Sequence, residues 1–185
     1  MLGSWTINPV KGMLPQKLAS GWDEAFEKLL GAKYEPIVYV GSQVVNGTNH
    51  MIIAKQNRVT AEPNTAIVKV VLNEKAIDAA KSRFTIVSID VLYENDGLMG
   101  GWSVVAEEPD AELTGVIADL TDDMMGAAYE PVIVAASQVV NGSNYKVLAI
   151  QTLVLASTVK HIVELTVNVP AAGAKPGILG IKNLV

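Results

Sequence analysis

Hydrophobic and polar positions along this chain follow two rhythms, and each rhythm occurs twice. The first is helical. Trp22, Ala25, Phe26, Leu29 and Leu30 recur at the spacing that places side chains on one face of a helix. Ser20 with Asp23 predicts a capping pair at its start, and Gly31 suits its C-terminal stop. Leu113, Val116, Ile117, Leu120 and Met124 repeat the stripe, opened by Pro109-Asp110 and closed by Gly126. The second rhythm belongs to strands. YEPIVYVGSQVV, TNHMIIAKQNRVT, AIVKVVLNE and FTIVSIDVLY follow the first helix. YEPVIVAASQVV, SNYKVLAIQTLVLA, HIVELTVNV and GILGIKNLV follow the second, and all are rich in Val, Ile, Thr and Tyr. Asn46-Gly47 and Asn141-Gly142 fall between strands and predict tight hairpins, because both residue types tolerate positive φ. The order predicts an α+β class: one helix packed on a four- to five-stranded antiparallel sheet, made twice.

The doubling is visible in the letters themselves. Residues 31–50 read GAKYEPIVYVGSQVVNGTNH and residues 126–145 read GAAYEPVIVAASQVVNGSNY, with no gap between them. Gln43 and Gln138 are 95 positions apart, as are Gly31 and Gly126. Ile67-Val68 and Asn73 align with Ile162-Val163 and Asn168 at the same offset, and LGSWT at 2–6 resembles MGGWS at 99–103. A repeat of this length marks one structural unit copied in tandem. The polar turn formers Glu94-Asn95-Asp96-Gly97 place the boundary between units at 1–95 and 96–185. Each unit is large enough to fold alone.

Composition narrows the function classes. Half of the 185 residues are hydrophobic and 18% are charged, which suits packed cores. The net charge of -5 and the scattered Lys and Arg leave no basic surface for phosphates, so nucleic acid is not an expected partner. The longest apolar stretches are strand-sized, and no membrane association is expected. Without cysteine there are no disulfides, thiolate sites or thiol nucleophile. No secretory pattern opens the chain, so a cytoplasmic protein, or an exported one whose leader has been removed, is expected. His50 and His161 have no ligand-spaced neighbours, and no Ser-His-acid set or phosphate loop emerges, so neither an enzyme nor a cofactor or metal site is expected.

Q-V-V-N-G at 43–47 and 138–142, followed by Thr-Asn and Ser-Asn-Tyr, resembles the Q-x-V-x-G first-hairpin motif of the cystatins, and of their stefin branch in particular. The resemblance implies two tandem cystatin-like units. Members of that family reversibly inhibit papain-like cysteine peptidases. A glycine-hinged N-terminal segment, the first hairpin and a second hairpin together fill the active-site cleft without offering a cleavable bond. Carried onto this chain, the peptidase-binding residues are Gly3, Gln43, Val44, Val45, Asn46 and Gly47 in the first unit. In the second they are Gly100, Gly101, Gln138, Val139, Val140, Asn141 and Gly142, with Val169-Pro170 matching the Leu-Pro of the stefin second hairpin. The first unit departs there: Glu74-Lys75 stand at the aligned positions, which makes the second unit the better expected inhibitor.

Other readings of the same residues stay open. Val44-Val45 and Val139-Val140 are apolar where turns are usually polar, yet alternation also allows one of each pair to face the core. Trp5 and Trp102 are candidates for core anchoring or partner contact. Asn46-Gly47-Thr48 and Asn141-Gly142-Ser143 match the N-glycosylation pattern, and a glycan there would obstruct a wedge. A non-inhibitory interaction module with another protein partner is the alternative function. The expected state is a monomer, or a dimer exchanging strands at the first hairpin.

Overall fold

A computed structural model of the chain describes residues 3–12, 14–59, 64–75, 83–95, 101–154, 157–171 and 173–185. It divides into two compact units, Met1–Leu92 and Tyr93–Val185. The first runs β1 (Trp5–Lys11), α1 (Gln16–Phe26), β2 (Ala32–Val45), β3 (Gly47–Arg58), β4 (Asn64–Glu74) and β5 (Phe84–Tyr93), with the division at the last residue of β5. Its sheet has the order β1-β2-β3-β4-β5. The second runs β6 (Ser103–Glu107), α2 (Ala111–Thr121), β7 (Ala127–Val140), β8 (Gly142–Val154), β9 (Thr158–Pro170) and β10 (Gly177–Asn183), with sheet order β10-β9-β8-β7-β6.

The expected α+β class, two cystatin-like units each with a helix on a sheet, is not what forms. The chain is mostly β, 63% strand against 13% helix, and its described residues form two antiparallel five-stranded sheets and two short helices. The physical reason lies in the strands. Ile52, Ile53, Ile67, Val68 and Leu72 are all fully buried, so neighbouring positions that point to opposite faces are both apolar. An 11-residue helix buries little by comparison: Leu18, Gly21 and Trp22 in α1, and Leu113, Ile117 and Thr121 in α2.

The helices also begin and end elsewhere than the pattern predicts. Helix α1 starts after Pro15, so Ser20 lies inside it and donates to the Gln16 carbonyl at 3.1 Å instead of capping. Its buried apolar residues Leu18 and Trp22, with Leu14 just before the helix, cluster with Ile52, Ala54, Val68, Val70, Leu72 and Phe84. Leu29 and Leu30 lie beyond its end, and Leu30 is 91% exposed. Helix α2 keeps its expected start, where Asp110 accepts from the Leu113 amide at 2.8 Å, but it stops at Thr121, short of Met124.

The long strands bend at matching places. Register shifts fall at Pro36/Val38 and Tyr39/Gly41 in the β2–β3 pair, and at Pro131/Ile133 and Val134/Ala136 in β7–β8. Bulges of this kind bend a strand and increase its twist, so each 14-residue β2 and β7 curves before reaching its hairpin tip.

Candidate functional site

Each repeated Gln-Val-Val-Asn-Gly run ends one strand, makes a turn and begins the next. Gln43, Val44 and Val45 finish β2, Asn46 is the turn and Gly47 opens β3; Gln138, Val139 and Val140 finish β7, Asn141 turns and Gly142 opens β8. Val44 pairs with Thr48 and Val45 with Gly47, as Val139 pairs with Ser143 and Val140 with Gly142. Positive φ falls on the glycines alone, at 104° and 109°. A two-residue mirror-image turn would need it at the asparagines too, so the tips are not the turns that Asn-Gly predicts. One valine of each tip projects fully: Val44 is 70% exposed and Val139 81%, with Val140 less open and Val45 half-buried. Asn46 and Asn141 are exposed beside them.

The N-terminal segment joins the first tip. The Gly3 amide donates to the Val44 carbonyl at 3.1 Å, and the Gly3 carbonyl accepts from Gln43 Nε2 at 2.8 Å. A Cβ at Gly3 would stand 2.8 Å from the Val44 oxygen, so this approach requires glycine. In the second unit Gly100 lies outside the described residues. Gly101 precedes β6, whose first residue Ser103 pairs with Ser137, next to Gln138.

The second loops differ between units. Val169 pairs with Ser143 and Pro170 with Gly142, and the Ala171 amide donates to the Asn141 carbonyl at 3.2 Å. Pro170 therefore sits directly against the tip, and a Cβ on Gly142 would meet the Val169 oxygen at 2.3 Å. On the helix side, Tyr145 and Val169 pack against the cluster that holds Leu113 and Ile117. The first unit has His50 and Glu74 at the equivalent places. Glu74 pairs with Thr48, but its carboxylate turns to Lys17 Nζ at 2.5 Å, Arg83 at 2.7 Å and His50 Nε2 at 3.3 Å. Tyr39 Oη lies 3.3 Å from His50 Nδ1. Burial draws the Glu74 carboxyl upward, but its bonds to Lys17 and His50 and the Lys17 and Arg83 charges outweigh that and leave it below the usual range. Burial also lowers the His50 imidazole, more than the Glu74 bond and charge raise it.

Sequence reasoning missed four further residues. Asn49 Nδ2 donates to Gln43 Oε1 at 3.1 Å and Asn73 Nδ2 to Asn49 Oδ1 at 2.8 Å; Asn144 donates to Gln138 and Asn168 to Asn144 at the same two distances. The signal was present in the repeat, which carries Asn49 and Asn73 onto Asn144 and Asn168. Trp5 and Trp102 are half-buried, and Lys146 Nζ lies 4.6 Å above the Trp102 ring. Away from the tip, at the start of β2, a groove of about 440 Å³ lies between Gly12, Leu14, Trp22, Asp23, Tyr34 and Pro36. No described helix is long and apolar enough to cross a membrane. No protein-family model matches the chain, and a search of curated proteins finds no match.

Proposed function

We propose that the chain is a reversible inhibitor of papain-like cysteine peptidases that inserts its hairpin tips into the active-site cleft. The observation that carries this reading is the exposure of Val44 and Val139 at two tips of one design. Branched apolar side chains held at a turn gain from burial in a partner, at roughly 25 cal/mol per Å² before association costs. The Q-x-V-x-G resemblance to the cystatins supplies the peptidase class. The hairpin supplies a reason for survival in a cleft. A peptidase cleaves an extended segment, whereas the bonds flanking Asn46 and Asn141 are held in closed turns between paired strands.

A second reading, an interaction module for a different protein, is favoured by one observation. In the first unit the second-loop position is Glu74, engaged with Lys17, His50 and Arg83 where an apolar contact would stand.

Titration of papain with the chain, scored by residual activity, tests the proposal. The wild-type protein is expected to abolish activity at micromolar concentration. Val44→Asp with Val139→Asp is expected to weaken inhibition at least about tenfold, worth about 1.4 kcal/mol, with the unfolding midpoint unmoved because both side chains are exposed. Full papain activity in the presence of micromolar wild-type protein would overturn the proposal.

A further inference from the structure

Two rows of amide side chains cross the sheets just behind the tips. Gln43 pairs in register with Asn49, and Asn49 with Asn73; Gln138 pairs with Asn144, and Asn144 with Asn168. Residues in register on adjacent strands lie side by side on one face, so each row stands perpendicular to three strands. The bonds run head to tail. In the first unit Asn73 donates to Asn49, Asn49 to Gln43, and Gln43 to the Gly3 carbonyl, at 2.8, 3.1 and 2.8 Å. In the second Asn168 donates to Asn144 and Asn144 to Gln138, at 2.8 and 3.1 Å. The face is the one turned from the helix, since the alternate positions Ile52 and Val147 belong to the clusters that hold Leu18 and Leu113.

Position gives the rows their meaning. Beyond Gln43 lie only Val44, Val45 and the turn, and beyond Gln138 only Val139, Val140 and the turn. Asn73 and Asn168 each stand one residue before the second-loop position, Glu74 or Val169. Each row thus connects the second-loop strand to the tip, and in the first unit connects the tip to the N-terminal segment. The neighbouring residues, whose side chains turn to the helix face, differ between units, His50 and Glu74 against Tyr145 and Val169, yet the row's bond lengths agree. The row's geometry therefore does not depend on the chemistry of the opposite face.

We propose that Asn49, Asn73, Asn144 and Asn168 are positioning residues that lock the separate segments of each contact edge into one pre-set wedge. This rests on the inhibitor reading for its functional consequence. A wedge already ordered before contact loses less conformational freedom on binding, which shows as slower dissociation. Chained amides also polarise one another, so removing the central member weakens the whole row.

The experiment uses the full chain with Asn144→Leu, which removes the central link of the second unit at similar volume. Asn168→Ala, which trims only the end of the row, serves if the first variant does not fold. Backbone order parameters of Val139, Val140 and Asn141 are expected to fall from about 0.85 to below about 0.6 while those of Leu148–Ile150 hold. With Val44→Asp silencing the first tip in both proteins, dissociation from papain is expected to quicken about tenfold at an unchanged association rate. Order lost equally along β8, or tip order unchanged, would overturn the positioning role. If the wild-type chain leaves papain untouched, the inhibitor reading falls alone, and the order parameters still decide whether the row holds the tip.

Discussion

Gly126 and Gly142 hold similar backbone angles, φ 81° and 109°, in different surroundings. Nothing lies within 4 Å of a Cβ built on Gly126, whereas one on Gly142 meets the Val169 oxygen at 2.3 Å and the Ala171 nitrogen at 2.6 Å. Gly126→Ala is therefore expected to cost only the left-handed strain, about 1–2 kcal/mol. Gly142→Ala adds a collision with backbone that cannot swing aside, and about 3 kcal/mol or more is expected by urea unfolding, with Pro170 displaced from the tip. The need for glycine at both positions was legible in the sequence. That one of them carries a second strand against its Cα was not, because Val169 and Ala171 reach it only through the β8–β9 pairing.

At the scale of the element, the two helices show which local signals hold. Asp110 caps α2 as its sequence context predicts, and Asp110→Ala is expected to lower stability by about 1 kcal/mol, read as a shift in the denaturant midpoint. Helix α1 has Pro15 at the same place with no side-chain cap, so Pro15→Ala is expected to change that midpoint far less. Ser20 and Asp23 imitate a capping pair, yet Leu18, one turn before Trp22, is buried with it, which carries the helix start back to Gln16. The residues of strands β1 and β6 are not marked by the sequence pattern, although a five-stranded sheet leaves room for one strand before each helix. Each of these strands is short and lies at a sheet edge, and β1 carries Pro9 within a register shift, a residue that a sheet accepts only at an edge, a strand start or a bulge.

Across the whole molecule, one backbone plan is written twice with different chemistry beside the tips. The first unit places Glu74 and Tyr39 against His50, with Lys17 and Arg83 on the Glu74 carboxylate, and the second has Tyr145 and Val169 at the positions of His50 and Glu74. Because burial holds the His50 imidazole below its usual 6.5, the unfolded chain takes up that proton first. The stability linked to it is full above 6.5 and is lost as pH falls toward the folded value. Glu74 acts in the same direction: held below its usual 4.5, it contributes above that pH and loses the contribution as pH falls through its folded value. Acidification from about pH 7.5 to about pH 5 is thus expected to destabilise the first unit more than the second, followed by amide exchange in β3 and β8. His50→Tyr with Glu74→Val is expected to remove the difference, and equal protection loss in both units of the wild type would refute the assignment.

The sequence by itself determined the tandem copying, the places of the long strands and the two Asn-Gly tips, because these depend on spacing between near neighbours. The balance of sheet over helix was misjudged for the same reason: periodicity marks a helix stripe whatever its length, and does not weigh it against strands that are apolar on both faces. Only the tertiary structure decided that Val44 and Val139 face outward, that four asparagines extend the repeated glutamines into rows, and that Glu74 turns toward Lys17 and His50. Each of those outcomes is fixed by strand register and by helix placement, which bring together residues far apart in the chain.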